Sequence, residues 1–359
     1  MKLKNILFSS SLLLIPLFIL TNCSNNSSSA KTDKKAAANT TKPADSAKAD
    51  TTTAADTTPA QVSYPPLNKK LYDSLMKKLA HGDTTGRWPV KGQPYPLPGA
   101  ILPFKRVVAY YGNLYSKHMG ILGELPPNEM LQHLHAAVKE WEKADPSTPV
   151  QPALHYIAIV ASGDPGKDHK YRNRMPFKQI DTVLSLAKKA HAIVFLDIQV
   201  ALSNIHAELP TLEKYWKMPN VHCGIDPEFS MKDGSLPGKK IGTYDADDVN
   251  YVSAYLAKIV DENHLPPKIL IVHRFTKKML TNYKNIKLHK EIQLVVNMDG
   301  WGEPDLKTGT YRNFIYPEPV QFTGFKLFYK NDLKKAPHHM LTPQEVLKYK
   351  PYPIYIQYQ

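Results

Sequence analysis

Asp226-Pro227-Glu228 places two carboxylates two residues apart at the end of the apolar run Val221 to Ile225. Residues i and i+2 of a strand point to the same side, which would put the two Cα atoms roughly 6.5–7 Å apart. Two carboxyls that close in a partly dry pocket repel, so one keeps its proton at neutral pH. That is the division of labour acid–base catalysis needs. Pro227 has no N–H, as suits a strand terminus where ladder pairing stops. The competing reading has Asp226 capping a turn and Glu228 pairing with a surface lysine. Stereochemical outcome stays open, because carboxyl separations of roughly 5–5.5 Å for retention and 6.5–9.5 Å for inversion are both within reach of this spacing.

Other short apolar runs also finish in polar residues. One ends in Asp197 and Gln199, one in His273, one in Asp299 with Trp301 beyond it, one in Lys326 with Tyr329 beyond it, and the last in Gln357; Tyr110 and Tyr111 close the first run. A single Asp after a strand is often a helix N-cap, so the recurrence carries the signal. Asp197, Glu228, His273 and Asp299 are acceptable ligands for a divalent ion. With one strand-end histidine and neither His-x-His nor His-Glu-x-x-His at these ends, no metal is assigned. No G-x-G-x-x-G or P-loop pattern occurs, so no nucleotide cofactor is expected, and without Gly-x-Ser-x-Gly a serine nucleophile has no support.

These residues need elements to position them. Strand-like runs at 106–112, 153–162, 192–200, 221–229, 268–275, 292–301, 324–329 and 353–358 alternate with helical stretches at 127–144, 176–190, 208–217, 245–263, 276–283 and 342–349. Alternation of this kind implies a parallel sheet with right-handed crossovers. The runs are apolar through most of their length, as strands covered on both faces should be. Eight strands in about 254 residues match an α/β (β/α)8 barrel, a TIM-type barrel, over 106–359, whose chemistry gathers at the C-terminal strand ends. A doubly wound open sheet is the rival, but Tyr110-Tyr111-Gly112-Asn113 offers one glycine where that fold usually carries a glycine-rich phosphate turn. Ahead of the barrel, 62–105 holds a helix with Leu67, Leu71, Leu75 and Leu79 at four-residue spacing, then a Pro-rich wrap.

The strand Val221-His222-Cys223-Gly224-Ile225 followed by Asp-x-Glu resembles the active-site strand of lysozyme-type glycoside hydrolases of family 25 and, more loosely, of family 18. The resemblance covers this strand and the barrel pattern; the longer Asp-x-x-Asp-x-Asp-x-Glu of the chitinases is absent. It implies that Glu228 donates the proton and that Asp226 assists a substrate acetamido group or stabilises charge. More of the chain, 106–359, resembles a group of secreted bacterial proteins for which no activity is established. The stations carrying that likeness are Ala109 to Gly112, Gly120 to Glu124, Phe195 to Gln199, Ile225 to Phe229, Ile271 to Phe275, Asp299 to Gly302, Leu341 to Pro343 and Ile356 to Gln359. Phe229 and Arg274 depart from the Trp and Gln of those stations.

The N-terminus reads as delivery. Lys2 and Lys4 precede an apolar run from Ile6 to Leu20 that ends in Leu20-Thr21-Asn22-Cys23. The run is shorter than the roughly 20 apolar residues of a spanning helix, so residues 1–23 read as a signal peptide. Their end resembles a lipobox, which implies lipidation of Cys23; an ordinary secretory signal is the alternative. Residues 24–61, rich in Ser, Thr, Ala and Lys, lack aromatic and large aliphatic side chains and read as a disordered tether. Taking two leader lysines and one net tether charge from the formal +14 leaves +11 on residues 62–359. No compact arginine cluster or basic helix accompanies that charge, so nucleic acid is not the expected partner. With Cys23 acylated, Cys223 is alone and no intrachain disulfide can form.

Three functions are open to this sequence. The first is a cell-envelope glycoside hydrolase cleaving an N-acetylated polysaccharide such as peptidoglycan. Glu228 and Asp226 would be catalytic, with Asp197 and Asp299 tuning their pKa values. Gln199, His273, Lys326 and Gln357 would bind substrate, and Tyr110, Tyr111, Trp301 and Tyr329 would stack on sugar rings. The second is a tethered barrel that binds glycan without cleaving it, and the third is a metal-dependent hydrolase or isomerase.

Overall fold

The structure, a computed structural model, describes residues 63–359. The stretches expected to form a signal peptide, a lipidation site at Cys23 and a tether up to residue 61 lie outside the described residues. Eight parallel strands form the barrel: β1 (Arg106–Gly112), β2 (Val150–Ala161), β3 (Ile193–Ile198), β4 (Val221–Ile225), β5 (Lys268–Arg274), β6 (Ile292–Met298), β7 (Phe322–Leu327) and β8 (Tyr355–Tyr358). Each pairs with its sequence neighbours, and β1 pairs with both β2 and β8, which closes the sheet and leaves no edge in the ring. The expected (β/α)8 barrel is the fold, and the open-sheet alternative is excluded by that closing pair.

Apolar residues facing outward, among them Val108, Leu154, Leu196, Val272 and Phe325, form one core with the surrounding helices. Helix α2 (Pro127–Ala144) contributes Met130, Leu134, Val138 and Trp141 at helical spacing, and α3 (Phe177–Lys189) contributes Ile180, Val183 and Ala187. Helix α4 (Ala246–Glu262) starts on a capping box, with the Asp245 side chain on the turn's N–H groups and Asp248 reaching back. Inward-facing Val107, Ala109, Ala153, Ile193, Phe195, Ile269, Ile271, Val295 and Tyr355 fill the lower barrel.

Helix α1 (Lys69–Leu79) packs onto that lower filling and plugs the N-terminal end of the barrel. Its buried residues are Tyr72, Met76 and Leu79, while Leu71 is 47% exposed. The expected leucine face is therefore rotated, because Tyr72 and Met76 offer larger surfaces to the barrel bottom. The Pro-rich stretch that follows is tied in by Gln293, whose side-chain Oε1 accepts the N–H groups of Ile101 and Leu102 at 3.0 Å.

Several expected elements come out differently; the helix expected at 342–349 covers only Pro343–Val346, and β6 ends at Met298 rather than 301. The stretch 276–283 forms no α-helix. It folds into the short turns Lys277–Met279 and Tyr283–Asn285 around a two-residue strand, Leu280–Thr281, paired with Tyr244–Asp245. Arg274 explains this, since its buried guanidinium donates to the carbonyls of Thr276, Lys277 and Leu280 and pairs with Glu318. Carbonyls turned onto an arginine cannot also run a helical ladder. The stretch 208–217 is broken into one-turn pieces, and β4 stops at Ile225 rather than running through Phe229.

Candidate active site

The C-terminal end of the barrel is built from side chains of all eight strands or the residues just beyond them. Asp197, in β3, is fully buried and sits at the centre. Tyr111 of β1 donates its hydroxyl to Asp197 Oδ2 at 3.0 Å. His155 of β2 and His273 of β5 each bring Nε2 to 3.4 Å from Asp197 Oδ1. His273 Nδ1 lies 3.1 Å from Asp299 Oδ2, and Lys326 of β7 lies 2.7 Å from Asp299 Oδ1. Lys326 Nζ also stands 3.9 Å from the centroid of the Tyr111 ring, a cation–π contact. On the deeper side, His155 Nδ1 meets the Tyr355 hydroxyl at 2.6 Å, and Gln357 donates to that hydroxyl at 2.8 Å.

Asp226 follows β4 and is 2% exposed. Its Oδ2 accepts from Gln199 Nε2 at 3.1 Å, while Gln199 Oε1 accepts the Ala161 N–H at 3.0 Å and fixes the amide. Asp226 Oδ1 accepts the N–H of Glu228 at 3.0 Å, capping a short turn, Pro227–Phe229. The expectation that Asp226 and Glu228 share one strand face is therefore corrected. Pro227 cannot donate to a ladder and the chain turns there, so the two carboxyls are related by a cap. Glu228 is partly exposed on that turn at the barrel mouth.

Charge divides sharply across the cluster. Burial drives the Asp226 carboxyl up to about 7, with Asp197 and Asp299 adding to the rise and His273 and Lys326 opposing it. Burial, then Asp226 and Asp299, pushes Glu228 up to about 8. For Asp197, burial is outweighed by His273 and His155, and its carboxyl stays well below the usual range. For Asp299, burial is outweighed by Lys326 and His273, again lowering the carboxyl. Burial alone would lower His273, but Asp197 and Asp299 carry it up to about 10. His155 loses that contest, as burial takes it down to about 4 despite Asp197. At neutral pH the floor thus holds two ionised aspartates against His273 and Lys326, and the mouth holds a protonated Glu228 beside an Asp226 near the middle of its titration.

Of the residues singled out from the sequence, Tyr111, Asp197, Gln199, Asp226, His273, Asp299 and Lys326 join one network, Glu228 adjoins it, and Gln357 lies one layer deeper. Tyr110 and Tyr329 do not. Alternate strand residues face opposite sides, so an inward Tyr111 sends Tyr110 outward, where its hydroxyl lies 2.9 Å from that of Tyr329. Both line an outer groove of about 550 Å³ with Tyr358, Leu341 and the face of α2 carrying His133 and Ala137. Trp301 lies past β6 with its ring 5.5 Å from Lys334 Nζ. Sequence reasoning missed His155 and Tyr355. His155 is mid-run in the twelve-residue β2, so a reading of strand ends passes over it. The available signal was an imidazole between Leu154 and Tyr156 in a run, Ala153 to Ala161, with no other ionisable or amide side chain apart from the Tyr156 phenol.

No protein-family model matches the chain, and no curated protein matches it. Among solved structures it is similar to Plasmodium falciparum HPPK-DHPS with pteroate, at 11% identity and a TM-score of 0.26. That alignment covers 72% of this chain, and the chain spans about half, 52%, of the other.

Proposed function

We propose that the barrel is a glycoside hydrolase of the bacterial cell envelope, held at a membrane by lipidation of Cys23 and acting on an N-acetylated polysaccharide such as peptidoglycan. The observation that carries the reading is the Asp226–Glu228 turn, a partly exposed acid beside a buried one, over a floor of ionised aspartates and cations. Glu228 gives its proton to the glycosidic oxygen as the bond from that oxygen to the anomeric carbon breaks. Asp226, held by Gln199 and the Glu228 N–H, positions the acetamido group that stabilises the anomeric carbon until water attacks it. Asp197 and Asp299 act through His273 and Lys326 on the charge felt by the two carboxyls. The +11 of residues 62–359 suits an anionic envelope surface.

The deciding experiment measures release of reducing ends from purified peptidoglycan and other N-acetylated glycans. Wild type is expected to release them and Glu228→Gln to fall by about 10²–10⁴-fold while keeping its fold. A folded Glu228→Gln variant with undiminished release would remove Glu228 from the reaction.

A further inference from the structure

We propose that His155, Asp197 and His273 form a binding site for a divalent transition ion of the zinc type, set in the floor beneath the Asp226–Glu228 turn. His155 Nε2 and His273 Nε2 each lie 3.4 Å from Asp197 Oδ1, and the three atoms fall within 4.8 Å of one another. Ligands about 2.1 Å from a tetrahedral ion stand about 3.4 Å apart, whereas adjacent ligands of an octahedral ion at that length stand about 3.0 Å apart. All three side chains are fully buried, and beyond their long contacts with one another these three atoms have no hydrogen-bond partner among the described residues. Buried polar atoms without partners are costly and call for an explanation.

The remaining polar atoms of the three residues are engaged in a way that aims the free ones inward. Tyr111 holds Asp197 Oδ2, leaving Oδ1 open. Asp299 Oδ2, 3.1 Å from His273 Nδ1, holds a proton on that nitrogen, so a metal ion would displace the proton of Nε2. The other ring nitrogen of His155, Nδ1, is held by the Tyr355 hydroxyl at 2.6 Å and the Gln357 amide at 3.1 Å, which orients the ring with Nε2 toward Asp197. A carboxylate or hydroxyl behind each ligating imidazole is the usual support of a metal site. Space is also provided, since a Cβ on Gly224 of β4 would come 2.4 Å from Asp197 Oδ1 and 2.5 Å from His155 Nε2. Two imidazoles and one carboxylate suit zinc better than magnesium or calcium, which prefer all-oxygen shells. Three protein ligands leave a fourth position for water or a substrate oxygen.

Zinc titration of untagged, chelator-stripped full-length protein by calorimetry tests the site, with Mg²⁺ as control and Co²⁺ as spectroscopic probe. The expected result is one Zn²⁺ per chain at submicromolar Kd, strong visible bands of four-coordinate Co²⁺, and no Mg²⁺ binding. His155→Gln and Asp197→Asn should each weaken zinc by more than about 100-fold, and Tyr355→Phe by about 10-fold. Failure of wild type to bind zinc stoichiometrically, a six-coordinate Co²⁺ spectrum, or unchanged affinity in a folded His155→Gln variant overturns the proposal. If these variants do not fold, the wild-type titration and Co²⁺ spectrum decide alone. Glu228→Gln should bind zinc as wild type does. The glycosidase reading is separate: zinc binding without glycan cleavage sinks that reading only, and cleavage by a chain that binds no zinc sinks this one only.

Discussion

At the scale of single residues, the site is a set of contests between burial and neighbouring charge. Glu228 is held protonated at neutral pH, and in the proposed reaction, where it is the proton donor, it must keep that proton to work. The rate of glycan cleavage is therefore expected to fall as pH rises through about 8, a basic limb that a pH–rate profile would locate; a limb near the ordinary glutamate value would contradict the assignment. The same carboxyls leave a mark on stability. Asp226 and Glu228 have higher pKa values in the folded chain than the 3.8 and 4.5 of free groups. Their contribution is fully present below those free values and is lost as pH climbs through about 7 for Asp226 and about 8 for Glu228. Glu228→Gln cannot ionise, so its thermal stability should decline less than that of wild type between about pH 5 and about pH 8, by roughly 1–2 kcal/mol. Parallel melting curves across that range would show it.

At the scale of elements, backbone phase decides which side chain meets which. The barrel register pairs Tyr111 with His155 and Asp197 with Gly224, while His155 lies opposite Phe195, so strand tilt rather than direct pairing brings His155 up to Asp197. Gly224 is the position where this arrangement tolerates no side chain. A Gly224→Ala substitution would push its Cβ against Asp197 and His155, both locked by neighbours, and should destabilise the protein by about 2–4 kcal/mol in urea unfolding. Loss of less than about 0.5 kcal/mol would mean the floor can relax, contrary to its packing. The loop after β5 teaches a related point. Local propensity favours a helix at 276–283, but Arg274 recruits its carbonyls from the strand below. That contact belongs to no local pattern and cannot be read from the segment itself.

At the scale of the whole molecule, the charged cluster occupies one end of the barrel and α1 closes the other. Met76 is 4% exposed against the lower filling while Leu71 is 47% exposed. Met76→Ala is expected to cost about 2–4 kcal/mol and Leu71→Ala less than about 0.5 kcal/mol, a contrast that denaturant titration resolves. The reverse ranking would mean that the leucine face is the packed one after all. Among the described residues no helix is long and apolar enough to cross a membrane. The proposed function places membrane attachment at Cys23, and Cys23→Ser should move the protein from the membrane to the soluble fraction of fractionated cells.

The sequence by itself determined the barrel, because eight apolar runs buried on both faces and separated by helical spacing leave few other ways to cover that surface. It also pointed to most of the floor: Asp197, Gln199, Asp226, His273, Asp299 and Lys326 are conspicuous where apolar strands end. The tertiary structure alone decided which neighbour of a pair faces inward, so that Tyr111 enters the site and Tyr110 leaves it. It alone decided that Asp226 caps the turn carrying Glu228, and that His155 joins the cluster from mid-strand. Composition and spacing set which elements form, whereas strand phase, register and closure set which side chains share a volume of a few ångströms. Those are properties of eight strands at once.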